Sequence, residues 1–169
     1  MASRALHTAF RGLEFLWALL IMALIGNMIA TSRAGDPSIV NYSMFVAVFS
    51  MLSLFYLIPA SMGVFDPVPM AMVALDVLNA LFYFCGAVAL AAYLGVHSCG
   101  NSDYTRSNLV TNGSPNTEKR CHEAQASTAF LWFGFACFVA TAFFSWQQRR
   151  GGVNMRSGIS RSAPSMSQV

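Results

Sequence analysis

The sequence predicts an all-α membrane protein, a bundle of four transmembrane helices, and three observations carry that reading. Four apolar stretches, at 13–30, 44–65, 70–96 and 126–146, are each long enough to cross a bilayer, since about 20 apolar residues span the hydrocarbon. Charged residues make up 10% of the chain and hydrophobic ones 56%, against about 25% charge in a soluble domain. The longest polar segment, 97–125, is too short to bury a core of its own. The expected organisation is a short amino-terminal segment (1–12), one bundle (13–146) carrying the loop 97–125, and a basic tail (147–169).

The first span follows Arg4 and Arg11, as a signal peptide would. Its apolar run exceeds the usual signal core of about 7–15 residues, and three more spans follow, so it is expected to stay as an anchor. Glu14 and Asn27 sit near its two ends, where snorkelling or water contact would satisfy them. Gly26 and Ala30 form a small-x-x-x-small pair that lets a neighbouring helix approach.

The second span is uncharged and contains Pro59, a kink that neighbouring helices can accommodate. Asp66-Pro67-Val68-Pro69 then ends it, because two prolines withhold backbone donors. The hairpin is tight, so the second and third spans are antiparallel neighbours.

The third span holds Asp76 and Asn79 on one face, three residues apart. An intramembrane acid is by default a functional-site hypothesis. Residues 70–96 give about 40 Å of helix for about 30 Å of hydrocarbon, which moves Asp76 to a boundary. No partner acid or base is evident deep in another span. A packing or lipid-headgroup hydrogen bond is therefore expected of Asp76 and Asn79; the alternative is a small transporter or channel component built on them. Ala87, Ala91 and Gly95 form a small-residue stripe, read as a packing seam. The fourth span is rich in aromatics, with Trp146 placed for the headgroup belt at its end.

Sidedness comes from the connections. Arg4, Arg11, Arg149, Arg150, Arg156 and Arg161 lie on the side of the termini; Arg33, Arg106, Lys119 and Arg120 lie on the other. That balance favours cytosolic termini. Cys99 and Cys121 stand near the two ends of the long loop, where a disulfide would close it at its base and persist outside the cytosol. Asn112-Gly113-Ser114 is a glycosylation sequon in the same loop. Zinc is the rival for these cysteines, through His97, Cys99, Cys121 and His122, but the spacing matches no familiar zinc site. No metal, no cofactor and no nucleic-acid partner is expected.

The tail carries four arginines and a run of serines without an acid, a composition expected to be disordered. Arg149 and Arg150 abut the membrane and suit anionic lipid. Ser157 and Ser162, each beside an arginine, are candidate phosphorylation sites whose added charge would weaken that attraction.

More specific than hydropathy are Gly95-Val96-His97-Ser98-Cys99, Tyr104-Thr105-Arg106-Ser107-Asn108, Thr111-Asn112-Gly113-Ser114 and the run Arg120-Cys121-His122-Glu123-Ala124-Gln125-Ala126-Ser127-Thr128-Ala129-Phe130-Leu131-Trp132-Phe133. With Asp76-Val77-Leu78-Asn79 and Phe82-Tyr83-Phe84-Cys85-Gly86, they resemble the fungal non-classical export protein 2 family of MARVEL-domain tetraspans, over roughly residues 4–145. That resemblance implies a four-helix bundle with cytosolic ends, residence in eisosome-type furrows of the plasma membrane, and sphingolipid-linked membrane organisation. It also implies a link to unconventional secretion. The expected protein is a non-enzymatic organiser that contacts lipid (sphingolipid, sterol or anionic), self-associates, and works beside eisosome proteins. Nothing in the chain resembles a catalytic triad, a nucleotide loop or a metal-ligand cluster.

Overall fold

The computed structural model describes residues 2–33, 35–65 and 67–158, with side chains over 5–33, 35–65 and 67–147. The elements run α1 (Ala2–Ala30), α2 (Ser38–Met62), α3 (Pro69–Leu94), α4 (Ser102–Ser107) and α5 (Thr117–Gly158). Four of these, all but the short α4, are long and apolar enough to cross a membrane.

The four long helices form a ring. The helix α1 packs on α2 and α5, and α3 packs on α2 and α5, so α1 and α3 face each other across a diagonal. Burial follows a three-and-four spacing on every helix. On α1 the buried positions are His7, Arg11, Glu14, Ala18, Ile21, Ile25 and Met28; on α5 they include Ser127, Leu131, Phe138, Thr141 and Ser145. This is the stripe by which a helix turns one face inward at 3.6 residues per turn. Leu54, Leu57, Tyr83, Leu90 and Phe138 fill the interior between the polar ends.

The connections explain the helix ends. Gly63 closes α2 in a left-handed conformation (φ 79°), its N–H bonding the Ala60 carbonyl, a geometry glycine adopts without a Cβ penalty. Pro69 opens α3 at its first position, where a missing N–H costs nothing.

Three expectations need correction. The first span does not begin at residue 13: α1 already runs from Ala2, so Arg11 lies inside a helix rather than in a flanking segment. The fourth does not begin at 126; α5 starts at Thr117, capped by Asn116, whose Oδ1 accepts the Lys119 N–H at 2.9 Å. It also continues to Gly158, where a disordered tail was expected from 147. Gln147, Gln148, Arg149 and Arg150 are good helix formers that simply propagate the span.

The small-residue stripe is likewise not a single seam within the bundle. Ala87 is buried, whereas Ala91 and Gly95 are exposed. A spacing of four overshoots a 3.6-residue turn by about 40° per step, so the stripe walks off the buried face. On α1, Gly26 is half-buried, with only the Met44 methyl near its missing Cβ, and Ala30 is exposed. The close approach occurs elsewhere: a Cβ at Gly134 of α5 would fall on the Tyr83 ring of α3, and one at Gly86 would touch Tyr42 and Leu131.

Candidate functional site: a polar cluster across the bundle

Arg11, Glu14 and Asp76 are each 0% exposed. The Arg11 guanidinium forks onto Asp76, Nη1 donating to Oδ1 at 2.5 Å and Nη2 to Oδ2 at 2.8 Å. Nη1 also donates to Glu14 Oε2 at 2.9 Å, one turn along the same helix. From α5, Thr141 Oγ1 donates to Glu14 Oε1 at 2.6 Å and Ser145 Oγ to Asp76 Oδ2 at 3.0 Å. Only a side chain as long as arginine, whose donors form a rigid fork, bridges the diagonal from α1 to α3 and meets a carboxylate bidentately. The cluster therefore fastens three helices with one cation, two carboxylates and two hydroxyls.

Asp76 is thus partnered within the protein, by Arg11 and Ser145. Its partner lay in a residue assigned to the flank of the first span. Asn79, also fully buried, donates Nδ2 to the Leu75 carbonyl at 2.8 Å, and its Oδ1 has no hydrogen-bond partner among the described residues. One turn farther, the Tyr83 hydroxyl meets Ser50 Oγ of α2 at 2.9 Å. Glu14, expected to reach water at the span's end, is wholly enclosed. His7 continues the same stripe and packs edge-on against Phe144 at 6.1 Å.

A second polar knot lies at the opposite end. Arg120, 1% exposed, donates Nε to the Val110 carbonyl at 2.7 Å, Nη1 to the Met28 carbonyl at 2.5 Å and Nη2 to Asp36 Oδ1 at 2.6 Å. One side chain thereby holds the end of α1, the first connection and the long loop. Asn27 donates to Glu123 Oε1 at 2.5 Å, so its neighbour is α5 rather than headgroups.

Cys99 and Cys121 are joined as a disulfide with Cα atoms 5.6 Å apart. The zinc alternative has lost both sulfur ligands to that bond. In the same loop the His97 ring meets Tyr104 at a tilt, with centroids 4.5 Å apart. The Tyr104 hydroxyl donates to the Leu94 carbonyl, and burial raises its phenol above the ordinary value. Asn112 is exposed. Arg149, Arg150 and Ser157 lie on the helical extension, in the part whose side chains are not described, and Ser162 lies outside the described residues.

A sequence of this kind can be compared with known proteins, and the MARVEL model, described as a membrane-associating domain, matches residues 3–144. The chain belongs to the MARVEL family. Its four long helices, joined in a ring and apolar on their perimeter, are the four-span bundle of that family. Among similar proteins, Non-classical export protein 102 of Candida albicans is 35% identical over 94% of this chain and 95% of its own length. Non-classical export protein 2 of Saccharomyces cerevisiae is 35% identical over 80% of this chain and 76% of its own. A Schizosaccharomyces pombe homologue of the latter is 30% identical over 78% and 72%. No solved structure matches the chain significantly. The family-matched segment includes the polar cluster from His7 to Thr141, and Ser145 lies just beyond its end. The chain is thus a multi-pass MARVEL membrane protein whose relatives are named for non-classical export.

Proposed function

We propose that this protein is a non-catalytic organiser of the fungal plasma membrane, acting in eisosome-type furrows by self-association and by contact with lipids, sphingolipids among them. Both termini face the cytosol and the disulfide loop faces outward. The observation that carries the reading is the commitment of the two acids Asp76 and Glu14 to partners within the bundle. Asp76 has both oxygens taken by Arg11, and Glu14 both by Arg11 and Thr141. A relay or conducting site needs such groups open to a path; here they bind helix to helix. What remains for partners is the perimeter, with Leu52, Phe55, Leu81, Phe133 and Phe143 exposed to the surrounding medium.

The names of the relatives support a second thread, an adaptor role in non-classical export. Leaderless cargo would then co-purify with the protein from gently solubilised membranes.

The test of the main reading is imaging. A fluorescently tagged chain in fungal cells should gather in stable plasma-membrane patches, and its deletion should reduce the number or depth of furrows. Uniform spread together with intact furrows would defeat the proposal. Ion or proton flux in vesicles that vanishes in Asp76→Asn would restore the transporter alternative.

A further inference from the structure

We propose that the cleft between the loop-end turns of α1 and α5 binds one phospholipid with a zwitterionic headgroup. This rests on the membrane-organiser reading and gives it a lipid site.

Position comes first. The helix α5 is 42 residues long, about 63 Å, roughly twice the hydrocarbon thickness of about 30 Å. Its apolar stretch, 126–146, starts about 13 Å below its first residue. At that transition lies a cleft of about 470 Å³, with Leu24 and Ala126 at its apolar part and Glu118, Lys119, His122 and Glu123 at its polar part. A second cleft of about 290 Å³ shares Asn116, Lys119 and Glu123 with it.

Periodicity extends the cleft downward. On α5, Lys119, Glu123, Ala126, Phe130 and Phe133 recur at spacings of three and four, while on α1 Leu24 and Trp17 are two turns apart on one face. The Trp17 ring stacks on Phe130 at 5.5 Å and meets Phe133 at 5.4 Å. The same pair of helices thus presents charge at the top and flat aromatic surface below, the polarity profile of a lipid standing in its leaflet.

Charge selects the headgroup. Glu118, Lys119 and His122 are exposed at the rim. Glu123 is nearly buried, and both its contacts, from Asn27 at 2.5 Å and from Lys119 at 3.6 Å, fall on Oε1. Glu123 lines the cleft, and its long contact to Lys119, whose side chain is 58% exposed, is easily exchanged for a better anion. A phosphate beside Lys119 and within reach of His122, with its ammonium toward Glu118 and Glu123, gives each sign of charge at the rim an opposite partner. A headgroup whose charge is only negative brings no cation to those two carboxylates, and a sterol hydroxyl answers neither sign.

The experiment is native mass spectrometry of the full-length protein, exchanged from detergent into mixtures of phosphatidylcholine, phosphatidylglycerol and ergosterol. Phosphatidylcholine should remain bound at one molecule per chain, ahead of the other two. Lys119→Gln with His122→Gln should weaken its retention about tenfold, the loss of a charge-assisted contact, and Ala126→Phe should abolish it by filling the apolar part. Glu118→Gln, a conservative change on an exposed side chain, should shift preference toward phosphatidylglycerol. Preferential retention of phosphatidylglycerol or ergosterol by the parent protein, or unchanged selectivity in Glu118→Gln, would overturn the inference. Either result could coexist with normal cellular patches, so the site can fail while the organiser reading stands.

Discussion

Asp76→Asn removes one carboxylate from a sealed cluster, and its cost follows from the contacts. Asp76 accepts two bonds from the Arg11 guanidinium and one from Ser145. After the substitution Arg11 keeps Glu14, while an amide NH2 replaces one acceptor and points a donor at donors. Arg11 then loses its fork to Asp76 and faces an opposed amide donor while Glu14 still answers its charge, so the cost is set by the broken buried contacts and falls at about 3–5 kcal/mol. For a chain of this size, about 2–4 °C accompanies each kcal/mol, which places the loss in melting temperature at about 6–20 °C. Arg11→Met should cost more, since it leaves Glu14 and Asp76 as two like charges in one dry site. The triple replacement Arg11→Met, Glu14→Gln, Asp76→Leu should recover much of the loss, as apolar substitutes for buried ion networks do. Cys137 is buried and unbonded, so labelling by a thiol-reactive dye during heating of the protein in detergent reports unfolding, with exposed Cys85 replaced by Ala. Melting of Asp76→Asn within about 2 °C of the parent would refute the reasoning, because a carboxylate whose loss costs so little holds nothing together.

Gly134→Ala should destabilise by about 1–3 kcal/mol, since its Cβ lands on the Tyr83 ring; Gly12→Ala, which meets nothing within 4 Å, should be neutral or slightly stabilising in the same assay. Arg120→Met should cost about 2–5 kcal/mol and raise hydrogen exchange across the long loop more than in the spans; uniform exchange would contradict its role as the knot of that end. Reduction of Cys99–Cys121, which closes a separation of 22 residues, should cost about 3 kcal/mol, while chelators leave melting unchanged; the reverse pattern would favour metal. If the loop is outside, Asn112→Gln should remove a mobility shift that deglycosylation also removes, and a chain without any shift would count against that sidedness.

Much of the fold was legible in the sequence because hydrocarbon imposes length and composition together. The four spans, the tight second hairpin and the disulfide could be read directly. The cluster could not, because the first span was started at Leu13, just past Arg11. The signal was available: His7, Arg11 and Glu14 continue, at spacings of four and three, the buried stripe of Ala18, Ile21, Ile25 and Met28. Following the stripe instead of the hydropathy would have turned Arg11 inward and given Asp76 its partner. The same habit drew the small-residue seam along Ala87, Ala91 and Gly95, although the contact that matters sets Gly134 against Tyr83. That choice depends on which side chain stands opposite a glycine, which one helix alone does not reveal. Arg120 was hidden similarly, since a base in a polar loop reads as solvated until three acceptors are seen to converge on it.

The claim that the polar residues of the spans staple α1 to α3 is tested most directly by a double-mutant cycle on Arg11 and Asp76, with melting measured in lipid nanodiscs. The structure requires strong coupling: the pair of Arg11→Met and Asp76→Leu together should cost at least about 2 kcal/mol less than the sum of the two single losses. Additivity to within about 0.5 kcal/mol would mean that the two side chains do not act as a pair, and would contradict the account.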